Sequence, residues 1–379
     1  MDELNNESFR PSAKIIVIGV GGGGCNAVNR MVMENIADVE FYVANTDQQS
    51  LSQSCLDEKH RILLGPRVTS GLGAGGDPDK GADAAYDSEK EIREIVRGAN
   101  LVFVASGMGG GTGTGAAPLI AEWSKDEGAL TVAIVTRPFS FEGKKRHEQS
   151  IKGLNKLKEA VDSLIVVSND RLLMLKGDSP TQNAFEAADN ILMQSVKTNI
   201  DLIIKPSIIN SDFADVKNVL QDSGVALIGY GLGKGPNKSL DAANSALNCP
   251  LLEANIAGAK RGICSVTVAP TVTLYEAQET VNHIIEAAGN DIDIKFSIAV
   301  NDKLEDSIIV SVIASDFGDN LSFEQVNDKP FVAPNFIKQK QIEENVNEDK
   351  KVEVEGTDIT ASTSLLPDFL LDEEDNNEK

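Results

Sequence analysis

Gly107-Met108-Gly109-Gly110-Gly111-Thr112-Gly113-Thr114-Gly115-Ala116-Ala117-Pro118 is the stretch around which the chain is organised. An apolar run, Leu101-Val102-Phe103-Val104-Ala105, leads into it and predicts a buried strand. Ala116 to Lys125, with Pro118 in the first turn, predicts the helix that leaves it. A loop so poor in side chains brings several backbone N–H groups against an anion, and the helix dipole favours negative charge there, so the expected ligand is phosphate. A flexible linker would lack the flanking strand and helix, and a simple turn needs fewer glycines. The pattern G-x-x-x-x-G-K-[ST] occurs nowhere, which leaves the P-loop class unsupported.

Upstream, Lys14 to Val20 predicts a strand that runs into Gly21-Gly22-Gly23-Gly24-Cys25-Asn26 and a helix through Met33; a second strand, Glu40 to Ala44, ends at Asn45-Thr46-Asp47. Gly19, Gly21 and Gly24 satisfy G-x-G-x-x-G with Asp47 as a ribose acid, so a nicotinamide-dependent oxidoreductase is the rival reading. A single dinucleotide-binding half has no use for a second phosphate cradle, nor for the third glycine-rich loop, Gly71 to Gly76. Three such loops at the strand ends of one sheet suggest one nucleotide with several phosphate and sugar contacts. Downstream, strands at Leu130 to Val135 and Ser163 to Ser168 continue the pattern. Glu142 and Arg146 after the first of these are either a surface i,i+4 pair or a ribose acceptor and a phosphate donor. Strand, loop and helix recur to about residue 178, which predicts an α/β fold with a doubly wound, mostly parallel sheet over 13–178.

Ser179-Pro180 starts a helix expected over 179–205, with Phe185, Ala188, Leu192, Val196, Ile200 and Ile203 at spacings of three and four. Asp189 and Asn190 on it suit the hydrogen-bonding edge of a purine, or are ordinary helix polarity. In Asn210-Ser211-Asp212-Phe213-Ala214-Asp215-Val216 the two acids lie on one face of a helical turn, where they either favour the helix N-terminus or polarise a water. A smaller α+β domain is expected over 206–316, with Asp293 to Val300 and Ser307 to Ala314 as antiparallel neighbours. Residues 1–12 and 317–362 read as disordered, the latter as a linker, and 363–379 carries an apolar island, Leu365 to Leu371, of the kind that docks on a partner groove.

The formal net charge is −23, and from Gln341 to Lys379 there are 13 Asp and Glu against 3 Lys. That balance argues against a general nucleic-acid or anionic-membrane surface. Cys25, Cys55, Cys249 and Cys264 show no metal-ligand spacing and His60, His147 and His283 are scattered, so free thiols in a reducing compartment and no protein-built metal site are expected. The polar N-terminus and the lack of any apolar run near about 20 residues predict a cytoplasmic protein with no membrane insertion.

Taken in order, VIGVGGGGCNAVNRM, NTD, GLGAGGDP, SGMGGGTGTGAAP, TRPFSFEGKKR, NDRLL, FEAADNIL and INSDFADVKNVL make residues 14 to 315 resemble the tubulin/FtsZ superfamily, and within it the FtsZ family of bacterial cell division. The resemblance implies a GTPase that binds GTP/GDP with Mg2+ and polymerises head to tail into filaments at the mid-cell division ring. By that likeness Gly22, Gly23, Gly24, Cys25 and Asn26, with Gly109, Gly110, Gly111, Thr112, Gly113 and Thr114, hold the phosphates. Gly73, Ala74 and Gly75 belong to the same site, Glu142 and Arg146 meet sugar and phosphates, and Asn169, Phe185 and Asp189 hold the nucleoside. Asp212 and Asp215 would reach the GTP of the neighbouring subunit and activate water, and the Leu365–Leu371 island would bind other division-ring proteins. Cys25 stands where the family usually has a small or amide residue, so thiol reagents are expected to inhibit. Ser195, Thr198 and Ser207 replace glycines common around the long helix, and acidic Asp372 to Asp375 replace the usual basic residues after the island.

Overall fold

The computed structural model describes residues 13–34, 36, 38–171, 181–204, 213–249, 251–252, 254–289 and 291–318, with side chains of the long helix described over 188–201. Phe185, Asp212, Ser207 and the Leu365–Leu371 island lie outside the described side chains.

Six strands build the first half of the sheet: β1 (Ile15–Val20), β2 (Val39–Asn45), β3 (Arg61–Leu63), β4 (Leu101–Gly107), β5 (Leu130–Arg137) and β6 (Ser163–Ser168). All their pairings are parallel, in the order β3-β2-β1-β4-β5-β6. Strands buried on both faces of a parallel sheet read as continuous apolar runs, which is why IIVIGV and LVFVAS were legible. Side chains nevertheless alternate between two cores. Ile15 and Val17 join Leu101 and Phe103 on one face, and Ile16, Ile18 and Val20 join Val102 and Val104 on the other. The three-residue β3 carries too little apolar pattern to be seen from sequence.

The helices α1 (Gly21–Met33), α2 (Gln48–Ser52), α3 (Pro66–Thr69), α4 (Pro78–Asp87), α5 (Glu89–Val96), α6 (Thr112–Asp126) and α7 (Lys144–Ala160) connect these strands. The long helix α8 (Thr181–Ile204) packs on α1, and its Ala188, Leu192, Val196 and Ile200 are buried at the expected spacing. Ser195 and Thr198 are also buried there, where Tyr230 Oη donates to Gln194 O at 3.4 Å.

After α9 (Phe213–Leu220) comes β7 (Gly224–Lys234), the strand through which the expected smaller second half joins the first. Gly224–Ala226 pair in parallel with Ser163–Ile165 of β6, and Leu227–Lys234 pair antiparallel with β10 (Ser307–Ser315). One strand thus belongs to both halves, and the described sheet has 10 strands ending β7-β10-β8-β9, where β8 is Arg261–Val268 and β9 is Asp293–Val300. Two helices complete this half, α10 (Lys238–Leu247) and α11 (Leu274–Ala288). Gly229, Gly231 and Gly233 line one face of β7, and a side chain at any of them would drive into the backbone of α10. The expectation that β9 and β10 are antiparallel neighbours is wrong. β10 pairs antiparallel with both β7 and β8, and β9 pairs in parallel with β8 at the edge. The turn between Val300 and Ser307 therefore crosses over β8, and local spacing carries no mark of such a crossing.

Candidate functional site

The strand order reverses between β1 and β4, and in open α/β sheets ligands bind at that switch point, outside the carboxyl ends of the strands. The first glycine loop follows β1 and the central one follows β4. They touch: Gly21 has φ +71°, and a Cβ on it would lie 2.9 Å from Gly113 N. Gly113 is closed in as well, since its Cβ would meet Gly107 O and Ser106 Oγ at 2.5 Å. The two loops form one continuous wall that only glycine can build.

That wall lines a cavity of about 440 Å³. Of the predicted residues, Gly22, Gly23, Asn26, Gly110, Gly111, Thr112, Gly113, Glu142, Arg146, Asn169 and Asp189 surround it. Gly107 and Met108 of the central loop line it too, as do Thr136, Pro138 and Ala188, which sequence reasoning did not assign to the site. Thr136 is the last residue but one of β5, beside β4 in the sheet, and the strand order is what brings it to the cavity.

Three features make this cavity an anion and nucleoside site. First, α1 and α6 both begin on it, and neither has a side-chain cap or an acid in its first turn. Helices α2, α4 and α11 are capped by Asp47, Asp77 and Thr273. Uncapped N-termini leave N–H donors and partial positive charge for a ligand. Second, Gly22 and Gly110 have no protein atom within 4 Å of an added Cβ and no left-handed φ. Neither packing nor backbone conformation demands glycine there, whereas a molecule seated against the loops does. Third, Asn169 is buried, and its Oδ1 has no hydrogen-bond partner among the described residues. A buried carboxamide oxygen left unpaired costs about 1–3 kcal/mol, which a donor on a bound ring offsets.

Glu142 accepts from Phe139 N at 2.9 Å and pairs with Arg146, so its place at the rim is fixed from both sides. Asp170 Oδ1 accepts from Ser140 N at 2.9 Å and holds the same turn onto the residue next to Asn169. Gly109 has φ +98°, and its Cβ would lie 2.8 Å from Arg146 O, so glycine there lets the start of α7 approach the central loop.

Other predicted residues stand behind the cavity. Gly24 is pressed against Ala105 O of β4. Thr114 Oγ1 accepts from Gly109 N at 2.8 Å and faces a neighbouring cavity between α4 and α7, so it shapes the loop without lining the site. In the third loop Gly73 N donates to Thr46 O at 3.0 Å, Ala74 packs behind Gly111, and Gly75 takes φ +63°. These three buttress the central loop instead of lining the cavity, as does the Thr46–Thr112 hydroxyl pair at 2.6 Å. Asp47 accepts from Gln49 N and Ser50 Oγ, both at 2.9 Å, which hold its carboxyl below the usual range; it is spent on capping α2 and does not line the cavity.

Cys25 corrects the expectation of a thiol beside the phosphates. Its side chain points into the core, with Sγ 3.6 Å from Gly19 O and 3.7 Å from Ala44 O, and burial pushes its pKa up to about 12. Cys249 and Cys264 are buried and likewise raised, and only Cys55 is exposed. Alkylation of the folded protein near pH 7.5, followed by mass spectrometry, is expected to label Cys55 alone and to leave nucleotide turnover unchanged. Labelling of Cys25 at a comparable rate would contradict the buried placement.

Asp215 lies in the first turn of α9 and is not among the residues around the cavity. The other end of α9 is tied to the beginning of the parallel strands. Ser223 N donates to Asp162 O at 2.8 Å, just before β6, whereas Asn169 follows the last residue of β6.

The matching family models cover most of the chain. Residues 14–176 match the Tubulin/FtsZ family GTPase domain and residues 224–318 the FtsZ family C-terminal domain. The chain belongs to the tubulin/FtsZ family. Among solved structures, an empty FtsZ dimer from M. jannaschii is 38% identical with a TM-score of 0.78, covering 85% of this chain and 95% of its own. A point mutant of FtsZ from M. jannaschii is 40% identical with a TM-score of 0.76, covering 80% and 91%. CetZ2 from Haloferax volcanii, at 19% identity and a TM-score of 0.68, shares the fold. Both FtsZ relatives are archaeal, so the likeness supports the family and not a bacterial source. Membership makes the chain a guanine-nucleotide-binding GTPase of a cell-division family. Among the described residues no helix is long and apolar enough to cross a membrane.

Proposed function

We propose that this chain is a self-assembling GTPase whose subunits stack head to tail, hydrolyse GTP to GDP and phosphate where they meet, and form the filaments of a cytoplasmic division ring. The observation that carries the reading is the separation of two chemistries along one sheet. The nucleotide cavity sits at the carboxyl ends of the parallel strands, and the end of α9 is tied to their beginnings. A six-residue strand spans about 20 Å, and Asp215 is only five residues, roughly 8 Å, from the anchored end of its helix. An aspartate side chain does not bridge that gap within one subunit. Stacking one subunit's α9 against the next subunit's cavity closes it, and assembly then completes the catalytic site.

In this reading the first and central loops cradle the phosphates through backbone N–H groups, and Arg146 adds charge at the rim. Asn169 and Asp189 hold the guanine with Phe185 beside them, and Glu142 meets the ribose. Asp212 and Asp215, arriving from the neighbouring subunit, orient the attacking water and stabilise the charge it develops. Among the described residues no cluster of acids, histidines and cysteines offers a metal cage. Mg2+ would be held mainly by the nucleotide and would supply neutralisation of phosphate charge. Leu365–Leu371 is the segment offered to partner proteins.

The test is phosphate release per molecule measured against protein concentration. A shared site gives specific activity that falls steeply on dilution and tracks GTP-dependent sedimentation. Activity per molecule that stays constant at high dilution would overturn the reading.

A further inference from the structure

The turn that joins α9 to β7 is held by two cations, one from each half of the sheet. From the nucleotide-binding half, Lys125 Nζ contacts Asp162 Oδ1 at 3.0 Å and Asp222 Oδ1 at 2.9 Å. From the other half, Arg261 donates to Asn218 O at 2.6 Å and Gln221 O at 3.2 Å, capping the last carbonyls of α9, and contacts Asp316 at 3.2 Å. Ser315 Oγ adds a donation to Val219 O at 2.8 Å.

Asp162 is the hub of this junction and is almost fully buried. Its Oδ2 accepts from Thr131 N at 2.8 Å at the start of β5. Its carbonyl accepts from Ser223 N at 2.8 Å and Gly224 N at 3.1 Å at the start of β7. Asp222 turns the chain with φ +49°, a left-handed conformation that aspartate and asparagine tolerate better than other non-glycine residues. Lys125 is the group that joins Asp222 to Asp162. It stands near the far end of α6, the helix whose first residues belong to the central phosphate loop, about 20 Å from Thr112 at the helical rise.

We propose that Lys125 is a positioning residue for GTP hydrolysis: by gripping Asp162 and Asp222 it fixes the end of α9 on the nucleotide-binding half, and with it the reach of Asp215. This rests on the reading that α9 serves the neighbouring subunit's nucleotide. Lys125 touches no substrate and acts through the turn. Its pair with exposed Asp222 contributes little to stability, but Asp162 is 6% exposed, so Lys125→Met also leaves a buried carboxylate without its cation and lowers the melting temperature; mixing it with a pocket variant separates that loss from positioning. Misplacing a catalytic group by an ångström is enough for a large rate loss.

The full-length chain with Lys125→Met is expected to bind GDP within about twofold of the parent and to lose about tenfold in kcat with KM little changed; Lys125→Arg keeps both near the parent. Asp222→Asn, which tolerates the same left-handed turn, is the second variant and moves kcat in the same direction. The deciding measurement mixes Lys125→Met with a pocket variant, Asn169→Ala/Asp189→Ala, whose α9 is intact. If Lys125 acts through α9, each Lys125→Met cavity regains activity against a sound neighbour, and the mixture exceeds the sum of its parts. Asp215→Ala mixed with the same pocket variant is the reference. A gain with Asp215→Ala but none with Lys125→Met overturns the positioning role and leaves the shared site standing. No gain in either mixture overturns the shared site and the role of Lys125 with it.

Discussion

Asp215→Ala is expected to lower GTP turnover by about 10²-fold or more while leaving nucleotide affinity within about twofold, because the residue stands outside the cavity that binds the nucleotide. The same split is expected for Asp212→Ala. Asp215 is half-buried in a turn whose neighbour Val216 is fully buried, so alanine, a good helix former, keeps the helix while removing the carboxylate. Filaments are expected to form with GTP and to persist longer than those of the parent, since hydrolysis no longer empties the interface of its γ-phosphate. Single-turnover phosphate release in sedimented filaments measures this directly. A rate within about threefold of the parent would remove Asp215 from the chemistry, and loss of GTP binding would place it in the cavity instead.

Gly110→Val is expected to abolish most nucleotide affinity, about 10²-fold or more, without lowering the melting temperature of the nucleotide-free protein. The reason is the empty space around an added Cβ at Gly110, which no protein atom approaches within 4 Å although the residue lines the cavity. The branched side chain would stand where a phosphate meets the backbone. Gly113→Ala provides the contrast, because its Cβ meets Ser106 Oγ and Gly107 O at 2.5 Å. That change is expected to cost about 1–3 kcal/mol of stability as well as affinity. Thermal shift with and without GDP separates the two. The parent and the Gly113 variant melt higher with ligand, and the Gly110 variant gains nothing. An equal GDP-induced shift in the Gly110 variant would mean that the open side of the loop does not face the nucleotide.

The glycine loops were legible because their chemistry is local: a run of residues without side chains, flanked by an apolar strand and a helix, has few physical uses. The same logic does not tell which members line the cavity and which stand behind it. Gly24, Thr114 and the Gly73–Gly75 loop carry the composition of a phosphate cradle, and in the structure they pack helix on strand and loop on loop beside the cavity. Asp47 carries the position of a ribose acid and caps a helix. Composition says that a backbone must come close to something, and whether that something is a ligand or another backbone depends on the sheet order. Cys25 shows the same limit, since helix periodicity turns its thiol towards β1 and β2 and away from the opening that its neighbours Gly23 and Asn26 line.

By itself the sequence determined the elements and the kind of site: parallel strands from buried apolar runs, uncapped helix starts from glycine loops, and a long helix from its three-and-four spacing. Those are short-range consequences of side-chain size, backbone freedom and periodicity. Tertiary structure alone decided that β7 runs through both halves of one sheet, that β8 separates β9 from β10, and that the nucleotide cavity and the anchored end of α9 lie at opposite ends of the strands. Strand order and register are set by which faces bury together over hundreds of residues, and no local window of sequence holds that information.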